Sequence, residues 1–173
     1  MYHFYNKTIG VLMVFCIMTL AAQAQLPSKY GQVSGSFQFD GQLYQPDDAL
    51  GITDSMIGGQ HARMNAFGNI IYRLGNFSAG VRYEAYLPPM DGYDKQLEGH
   101  GFANRWARYN AGIADITVGN FYDQFGMGMI FRAYEEWTLG YDNSVDGVRV
   151  ILKPMKGMTI KGIWGTQRYY WET

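Results

Sequence analysis

Long stretches in which apolar and polar residues alternate one by one constrain the fold of this chain more than any other feature. In VSGSFQFDGQLYQ, residues 33–45, Val33, Phe37 and Phe39 fall on odd positions, and the even positions carry polar or amphipathic side chains. Successive side chains of a β-strand point to opposite faces of a sheet. The segment is therefore predicted to be a strand with one apolar face and one polar face.

The same alternation recurs along the rest of the chain. Residues 62–74 and 77–86 alternate, and Gly75-Asn76 between them suits a two-residue hairpin turn because both residues tolerate positive φ. Weaker or shorter alternation marks the segments 102–110, 113–121, 147–153 and 158–171. The pattern indicates about seven strands, mostly in consecutive hairpins, which predicts an all-β antiparallel meander.

The first 24 residues have the composition of a cleaved secretory signal peptide. Lys7 supplies the positive charge, residues 9–22 are apolar, and residues 22–24 form a small-x-small cleavage site. The single cysteine, Cys16, lies inside this segment. The exported chain, from Gln25 onward, is therefore expected to have no disulfide and no thiolate metal site, as in a bacterial envelope protein.

The charge balance excludes some partners. The chain has 14 basic and 15 acidic residues, and loss of Lys7 with the signal peptide leaves a small acidic excess. A nucleic-acid partner normally requires a basic excess, so none is expected. No second long apolar run follows the signal peptide, so no transmembrane helix is predicted.

Three features favour a transmembrane β-barrel over a soluble β-sandwich. Residues 62–74 are longer than the average soluble strand of about 5–6 residues and fit the roughly 9–11 that a tilted membrane strand needs. The polar face of this segment carries Arg63, Asn65 and Arg73, which suit a wet lumen. Aromatic residues occur near strand ends, as in barrel girdles. We predict an all-β antiparallel transmembrane β-barrel in contact with outer-membrane lipid.

The barrel is expected to be incomplete in this chain. Seven is an odd number of strands, whereas bacterial single-chain barrels have even numbers. The chain stops at Thr173, directly after a long predicted strand. Residues 25–173 are therefore interpreted as the N-terminal part of a longer barrel, with an irregular segment at residues 119–147.

The irregular segment carries a family resemblance. GNFYDQFGMGMIFRAYEEWTLGYDNSVDGVR, residues 119–149, combines glycines, aromatics and charged side chains without a clean period. With VSGSFQFDGQLYQPD (33–47) and IKGIWGTQRYYW (160–171), it resembles the N-terminal portion of an uncharacterised Bacteroidota outer-membrane β-barrel family. The resemblance implies a barrel fold and an outer-membrane location, and it supplies no substrate and no catalytic residues.

Charged and amide side chains are predicted to face the barrel interior, where they line a lumen or form a plug. The predicted interior residues are Arg63, Arg73, Arg82, Glu84, Asp123, Gln124, Arg132, Glu135, Glu136, Asp142, Asn143 and Arg149. The acids Glu135, Glu136 and Asp142 are expected to pair with Arg132, Arg149 or Arg105, because buried charges need partners. The aromatic side chains of the irregular segment would be buried if it folds inward, which predicts a partly plugged barrel.

No catalytic, metal or cofactor site is predicted. Glu135 and Glu136 are adjacent and point apart in an extended segment, so they do not flank one glycosidic bond. Residues 142–147, DNSVDG, offer oxygen donors but lack the ligand series of an EF-hand, and they are interpreted as a turn. The two histidines of the exported chain, His61 and His100, are far apart in sequence and form no metal-ligand pattern.

Two functions follow from these observations. The first is an outer-membrane barrel of porin-like transport or scaffold type, without enzymatic activity, with an unknown substrate and with other envelope proteins as candidate partners. The second is a soluble all-β envelope domain that binds or hydrolyses glycans. Trp106, Trp137 and Trp164 would then be the stacking platforms.

Overall fold

The computed structural model describes residues 29–136 and 140–171, and most of their regular structure is β-strand. The prediction of an all-β antiparallel fold is confirmed. The described residues contain two short helical turns, an α-helix at Asp54–Ile57 and a 3₁₀ turn at Lys95–Leu97. The described residues contain no helix long and apolar enough to cross a membrane. The predicted signal peptide, residues 1–24, lies outside the described residues.

Long strands form one main sheet, and two-residue strands form two small ones. The long strands are β1 (Gln32–Leu43), β2 (Ala62–Leu74), β3 (Phe77–Tyr86), β4 (Gly99–Asn110), β5 (Ala114–Phe121), β10 (Val145–Leu152) and β11 (Ile160–Gln167). The short strands are β6 (Asp123–Gln124), β7 (Arg132–Ala133), β8 (Glu135–Glu136) and β9 (Tyr141–Asp142). The main sheet has the order β1-β2-β3-β4-β5-β10-β11, and β6 pairs with β7 and β8 with β9.

The main sheet is open within the described residues. Every neighbouring pair is antiparallel, and β1 and β11 each pair on one side only. These seven strands therefore do not close on themselves. Residues 122–144, called here the β5–β10 connection, carry the four short strands and correspond to most of the irregular segment.

The pairing register gives the sheet one polar and one apolar face. Asn69 of β2 pairs with Ser36 of β1 and Arg82 of β3, whereas the neighbouring Ile70 pairs with Val81. Residues that pair directly in an antiparallel sheet lie on the same face. The alternation read from the sequence therefore becomes two continuous surfaces.

The polar face is the buried one. Asn65, Glu84 and Arg82 are only 0%, 2% and 7% exposed, whereas Phe37 and Trp164 on the apolar face are 76% and 79% exposed. A water-soluble sheet buries its apolar face, because removing apolar surface from water is favourable. In this sheet the polar face is buried and the apolar face is exposed, the reverse of that arrangement.

Contacts across the polar face require strong curvature. Adjacent strands lie about 4.8 Å apart, so β3 and β11 would be roughly 19 Å apart in a flat sheet. Arg168 follows β11, and its backbone N–H still donates to the Ser144 carbonyl before β10. Its Nη2 nevertheless lies 3.0 Å from Glu84 Oε2 on β3. The polar face is therefore concave and the apolar face convex.

The two ends of the sheet have connections of different length. At one end the strands are joined by the short segments 75–76, 111–113 and 153–159. At the other, the long-connection end, they are joined by the segments 44–61, 87–98 and 122–144. Two small apolar clusters pack beneath these long segments: Phe67 with Tyr86 and Leu97, and Phe121 with Ala133 and Val145.

Gly147 of β10 has no room for a side chain. A Cβ atom there would lie 2.1 Å from the backbone oxygen of Trp164 on β11, and that oxygen is fixed by the strand pairing. We expect Gly147→Ala to lower the free energy of unfolding by about 1–3 kcal/mol, the usual range for overpacking. Denaturant unfolding measures this change.

Gly162→Ala is the matched control in the neighbouring strand. A Cβ atom at Gly162 meets nothing within 4 Å. This variant should unfold at the same denaturant concentration as the wild type or slightly higher, because alanine restricts the unfolded chain. Equal losses in the two variants would contradict the close approach of β10 and β11.

Candidate functional site

Arg82 of β3 is the centre of a buried ion-pair network on the concave face. Its Nε lies 2.7 Å from Glu84 Oε1, its Nη1 2.7 Å from Glu135 Oε1 and its Nη2 2.8 Å from Asp142 Oδ2. Glu135 belongs to β8 and Asp142 to β9. A buried guanidinium needs such partners because its desolvation is costly. The ion pairs therefore bind the β5–β10 connection to the wall of the sheet.

A β-bulge in β4 lies beside Arg82. Arg82 pairs with Asn104, whereas the next residue, Tyr83, pairs with Phe102, so Ala103 is an extra residue of β4. A bulge increases local twist and redirects the side chains that follow it. Here it keeps Asn104, which is 7% exposed, next to Arg82 on the concave face.

Arg168 is the second cation of the network, and the predicted interior residues did not include it. Its Nη2 lies 3.0 Å from Glu84 Oε2 and its Nη1 2.6 Å from Asp142 Oδ2. Burial disfavours the charged guanidinium, but Glu84 and Asp142 outweigh this and raise the pKa of Arg168. The only sequence signal is an arginine at the start of the aromatic run RYYW, where alternation no longer assigns a face.

Tyr122 completes the Arg82 network. Its hydroxyl donates to Asp142 Oδ1 at 3.0 Å and accepts from Arg82 Nη2 at 3.3 Å. Burial raises the pKa of Tyr122, and the Asp142 carboxylate adds to this shift, so the hydroxyl stays a neutral donor. Burial also raises the pKa of Glu135, which Arg82 only partly offsets. The environment of the network therefore favours the protonated, neutral form of the Glu135 carboxyl more than water does.

Guanidinium groups occupy the centre of the acidic cluster. Oxygen atoms of Glu84, Glu135 and Asp142 lie within 4.8 Å of one another, a spacing compatible with a metal ion. Arg82 contacts all three carboxylates, and Arg168 contacts Glu84 and Asp142. The positive charge between these carboxylates is thus supplied by the chain itself.

A second group of ion pairs runs along the concave face from β4 to β11. Asp123 of β6 lies 2.6 Å from Lys161 Nζ and 3.4 Å from Arg149 Nη1. Arg149 also lies 3.7 Å from Asp115, which pairs with Arg108 at 2.5 Å. Burial disfavours the Asp123 carboxylate, but hydrogen bonds from Lys161 and from the next backbone N–H outweigh it and lower the pKa of Asp123.

Two predicted interior residues lie away from both groups. Arg63 of β2 pairs with Asp91 and donates to the carbonyl of Ile57 at 2.8 Å, so it fastens two long connections to the sheet. Arg73 is exposed at the opposite end of the same strand. Neither side chain takes part in the Arg82 network.

The remaining predicted residues belong to the β5–β10 connection. The Gln124 amide donates to the backbone two residues further on, at 3.1 Å. The Arg132 guanidinium lies 4.3 Å from the ring centroid of Tyr134. Asn143 accepts from the Tyr134 backbone N–H at 2.7 Å and donates to the Arg132 carbonyl at 3.2 Å. Glu136 is half-buried in β8 and lines the cavity described below.

The tryptophans proposed as sugar platforms do not share a surface. Trp106 lies on the concave face against Gly80, where a Cβ atom would lie 2.7 Å from the indole. Trp164 pairs with Val148 on the convex face. The two rings therefore cannot form one stacking surface, and Trp137 lies outside the described residues.

A cavity of about 340 Å³ lies over the Arg82 network at the long-connection end. It is bordered by the end of β3, the β3–β4 connection, the β8–β9 hairpin and the residues after β11. The lining residues are Glu84, Tyr86, Tyr93, Asp94, Leu97, Glu135, Glu136, Gly140, Tyr141, Asp142, Asn143, Arg168, Tyr169 and Tyr170. It is called here the tyrosine cavity.

Two contacts hold the walls of the tyrosine cavity together. The Tyr170 hydroxyl donates to Asp94 Oδ2 at 2.7 Å, which raises the pKa of Tyr170 to about 12. The backbone N–H of Gln96 and this hydroxyl lower the pKa of Asp94. The ring of Tyr93 packs on Gly140, where a Cβ atom would lie 2.6 Å from the ring.

Fold and site together define an all-β protein in which an open, curved antiparallel sheet carries a buried ion-pair network beneath an aromatic cavity. The chain belongs to the family of unknown function DUF6029, whose sequence profile matches residues 4–173. No curated protein and no solved structure matches the chain. Membership of an uncharacterised family is thus confirmed, whereas the outer-membrane location and the Bacteroidota source stay predictions.

Asp123 should make stability depend on pH. Its pKa is lowered in the folded protein, so its contribution is present above the unfolded-state pKa of about 3.9 and is lost as pH falls through the folded value. We expect Asp123→Asn to lower the free energy of unfolding by roughly 1–2 kcal/mol at neutral pH. The difference from wild type should vanish in acid.

Denaturant unfolding between neutral pH and about pH 1–2, below both the unfolded-state and the lowered folded-state pKa, checks this expectation. Asp40→Asn is the control, because Asp40 lies on the polar face of β1 and accepts a hydrogen bond from the neutral Gln38 at 2.7 Å. It should change stability little at either pH. A loss in Asp123→Asn that persists unchanged in acid would exclude the carboxylate as its cause.

Proposed function

We propose that this chain forms part of the wall of an outer-membrane β-barrel of transport type with a narrowed interior. The reversal of the two faces carries the proposal: charged side chains are buried on the concave face, and large apolar side chains are exposed on the convex face. The exposed apolar side chains include Phe37, Phe39, Ile70, Phe102 and Trp164. A bilayer stabilises such a surface, whereas in water an apolar patch of this extent favours aggregation.

Strand length and connection length support the same architecture. β1 to β4 have 10–13 residues, enough for the roughly 9–11 that a tilted strand needs to cross a bilayer, whereas β5, β10 and β11 have eight each. Outer-membrane barrels have short turns at the periplasmic end and long loops at the outer end. The short segments at one end of this sheet and the long ones at the other match that asymmetry.

The strand ends are staggered at β2 and at β4. β2 pairs with β1 from Ala62 but with β3 only from Asn65. β4 pairs with β3 from Gly99 but with β5 only from Trp106. Both steps move the pairing away from the long-connection end, whereas β5 pairs with β10 from Phe121 and with β4 only from Gly119, a step in the opposite direction. The stagger that tilted barrel strands require is therefore present in part of the sheet.

Closure of the proposed barrel requires more strands than the seven described. The backbone groups of β1 and β11 at the sheet edges have no strand partner within the described residues. Unpaired edges are not tolerated in the hydrocarbon core, because no water is present to satisfy them. The proposal therefore includes further strands that pair with both edges.

The β5–β10 connection supports a narrowed interior. Near its start Asp123 pairs with Lys161 and Arg149, and near its end Glu135 and Asp142 pair with Arg82. The connection is thus fastened to the concave face at several points. This arrangement favours selective passage over an open pore, and a closed scaffold is the second possibility.

Adjacent positions on opposite faces of β1 test the membrane location. Phe37 and Ser36 are both exposed, but Phe37 is on the convex face and Ser36 on the concave face. An arginine facing lipid at mid-membrane costs about 2–4 kcal/mol. We expect Phe37→Arg to reduce strongly the carbonate-resistant membrane fraction in cells, and Ser36→Arg to leave it near the wild-type level.

The result expected for Phe37→Arg differs from that of a soluble sheet. On a soluble sheet Phe37→Arg would replace an exposed apolar side chain with a charged one and would be tolerated. Release of the wild-type protein from membranes by carbonate would reject the barrel. Equal behaviour of the two arginine variants would reject the assignment of the convex face to lipid.

Conductance of the full-length gene product in planar bilayers separates transport from scaffold. Arg82→Met leaves three carboxylates without their shared cation, and removal of one partner from a buried ion pair is strongly destabilising. We expect small conductance steps in the wild type and larger or more frequent steps in Arg82→Met. Because the substitution is destabilising, conductance would be measured only on Arg82→Met protein that migrates in an unheated gel as the folded form.

Arg73→Met is the matched control for this measurement. Arg73 is exposed at the end of β2 and lies outside the Arg82 network. The substitution removes the same charge, so an equal change in conductance would point to the overall charge instead of the connection. Absence of conductance in all three proteins would favour the scaffold role.

A further inference from the structure

We propose that the tyrosine cavity binds a small organic cation, in which an ammonium or quaternary ammonium group is attached to a compact apolar body. The cavity of about 340 Å³ lies within the size range of small-molecule sites. Its lining combines carboxylates with tyrosine rings, and these two features select the same ligand chemistry.

The charge of the lining favours a cation. Within the described part of the chain, five carboxylates line the cavity, namely Glu84, Asp94, Glu135, Glu136 and Asp142, and one guanidinium, that of Arg168. Arg82 lies beneath the cavity and contacts three of the carboxylates. The acids outnumber these two arginines. An anion would be repelled, and the positive end of a ligand would be attracted.

Tyrosine rings provide the apolar part of the site. Among the residues that the structure describes, five tyrosines line the cavity, namely Tyr86, Tyr93, Tyr141, Tyr169 and Tyr170. Tyr141 and Tyr169 are 44% and 65% exposed, so their rings are accessible to a solute. A cation over an aromatic face gains about 0.5–2 kcal/mol, and aromatic rings with nearby acids are the usual receptor for quaternary ammonium groups.

Contacts within the chain hold the cavity in shape. The Tyr170 hydroxyl is bonded to Asp94 at 2.7 Å, and the Tyr169 and Tyr170 rings meet edge to face with centroids 4.5 Å apart. Arg168 Nε donates to the Tyr170 carbonyl at 2.6 Å. A preorganised site loses less conformational entropy when it binds.

This inference deepens the proposed function, because it names a substrate class for a site at the long-connection end of the barrel. The inference depends on the proposed function only in treating the bound cation as a transported substrate. Binding is measured on folded protein and does not require membrane insertion. A failure to bind would therefore leave the carbonate and conductance results intact, and release by carbonate would leave a binding result intact.

The test is isothermal titration of the full-length protein in a maltoside detergent, which has no choline headgroup. The probes are choline and its uncharged carbon isostere, 3,3-dimethylbutan-1-ol, which share shape and differ in charge. We expect saturable binding of choline and at least about tenfold weaker binding of the isostere, since a cation–π contact and a carboxylate together contribute on the order of tenfold or more.

Variants inside and outside the cavity distinguish direct contacts with choline from an effect of overall charge. Tyr169→Leu should weaken choline binding about fivefold or more, and Tyr169→Phe should retain it, because only the ring is required. Glu136→Gln should weaken binding on the order of fivefold. Glu98→Gln removes the same charge from an exposed position outside the cavity and should leave affinity unchanged.

Several outcomes would overturn the proposal. They are the absence of saturable choline binding in the millimolar range, equal affinity for the isostere, and equal affinity in Tyr169→Leu. Equal weakening by Glu136→Gln and Glu98→Gln would assign the effect to overall charge and would also overturn it. Circular dichroism and unheated gel migration establish that each variant is folded before titration.

Discussion

Desolvation of the Arg82 guanidinium is the constraint on which the rest of the structure depends. A charge that is 7% exposed is stable only with carboxylates placed around it. Glu84 comes from the same strand, but Glu135 and Asp142 come from the β5–β10 connection. The connection must therefore fold back onto the concave face, and the cavity exists because the connection lies there. The direction in which one side chain points decides the position of a long segment.

Curvature makes this arrangement possible, and backbone features produce the curvature. The bulge at Ala103 adds twist beside Arg82. Gly119, with φ +87°, brings β5 so close to β4 that a Cβ atom would lie 2.2 Å from the Arg105 carbonyl oxygen. Gly147 continues this close approach in β10. Small residues on the concave side thus allow the sheet to bend around its charges.

The alternation of residues predicted the faces, because side-chain direction along a strand is a local property. Arg82 and Glu84 were accordingly placed on the interior face. The expected partners of the acids, Arg132, Arg149 or Arg105, were wrong for Glu135 and Asp142, which pair with Arg82 and Arg168. Such partners depend on curvature and on the path of the connection. Arg168 lies 84 positions from Glu84, and Lys161 lies 38 from Asp123. Local patterns carry no information about such pairs, and the tyrosine cavity, formed by four separate segments, was missed for the same reason.

Tyr170 connects the cavity to the ion-pair network. Among the described residues it is the one non-glycine residue with positive φ, at +54°, a conformation that costs roughly 1–2 kcal/mol. The hydrogen bond to Asp94 and the contact from Arg168 to the Tyr170 carbonyl offset this strain. Arg168 also bonds Glu84 and Asp142. One guanidinium therefore fixes the wall of the cavity and the β5–β10 connection together, so a cation bound in the cavity would compete for the carboxylates that hold the connection in place.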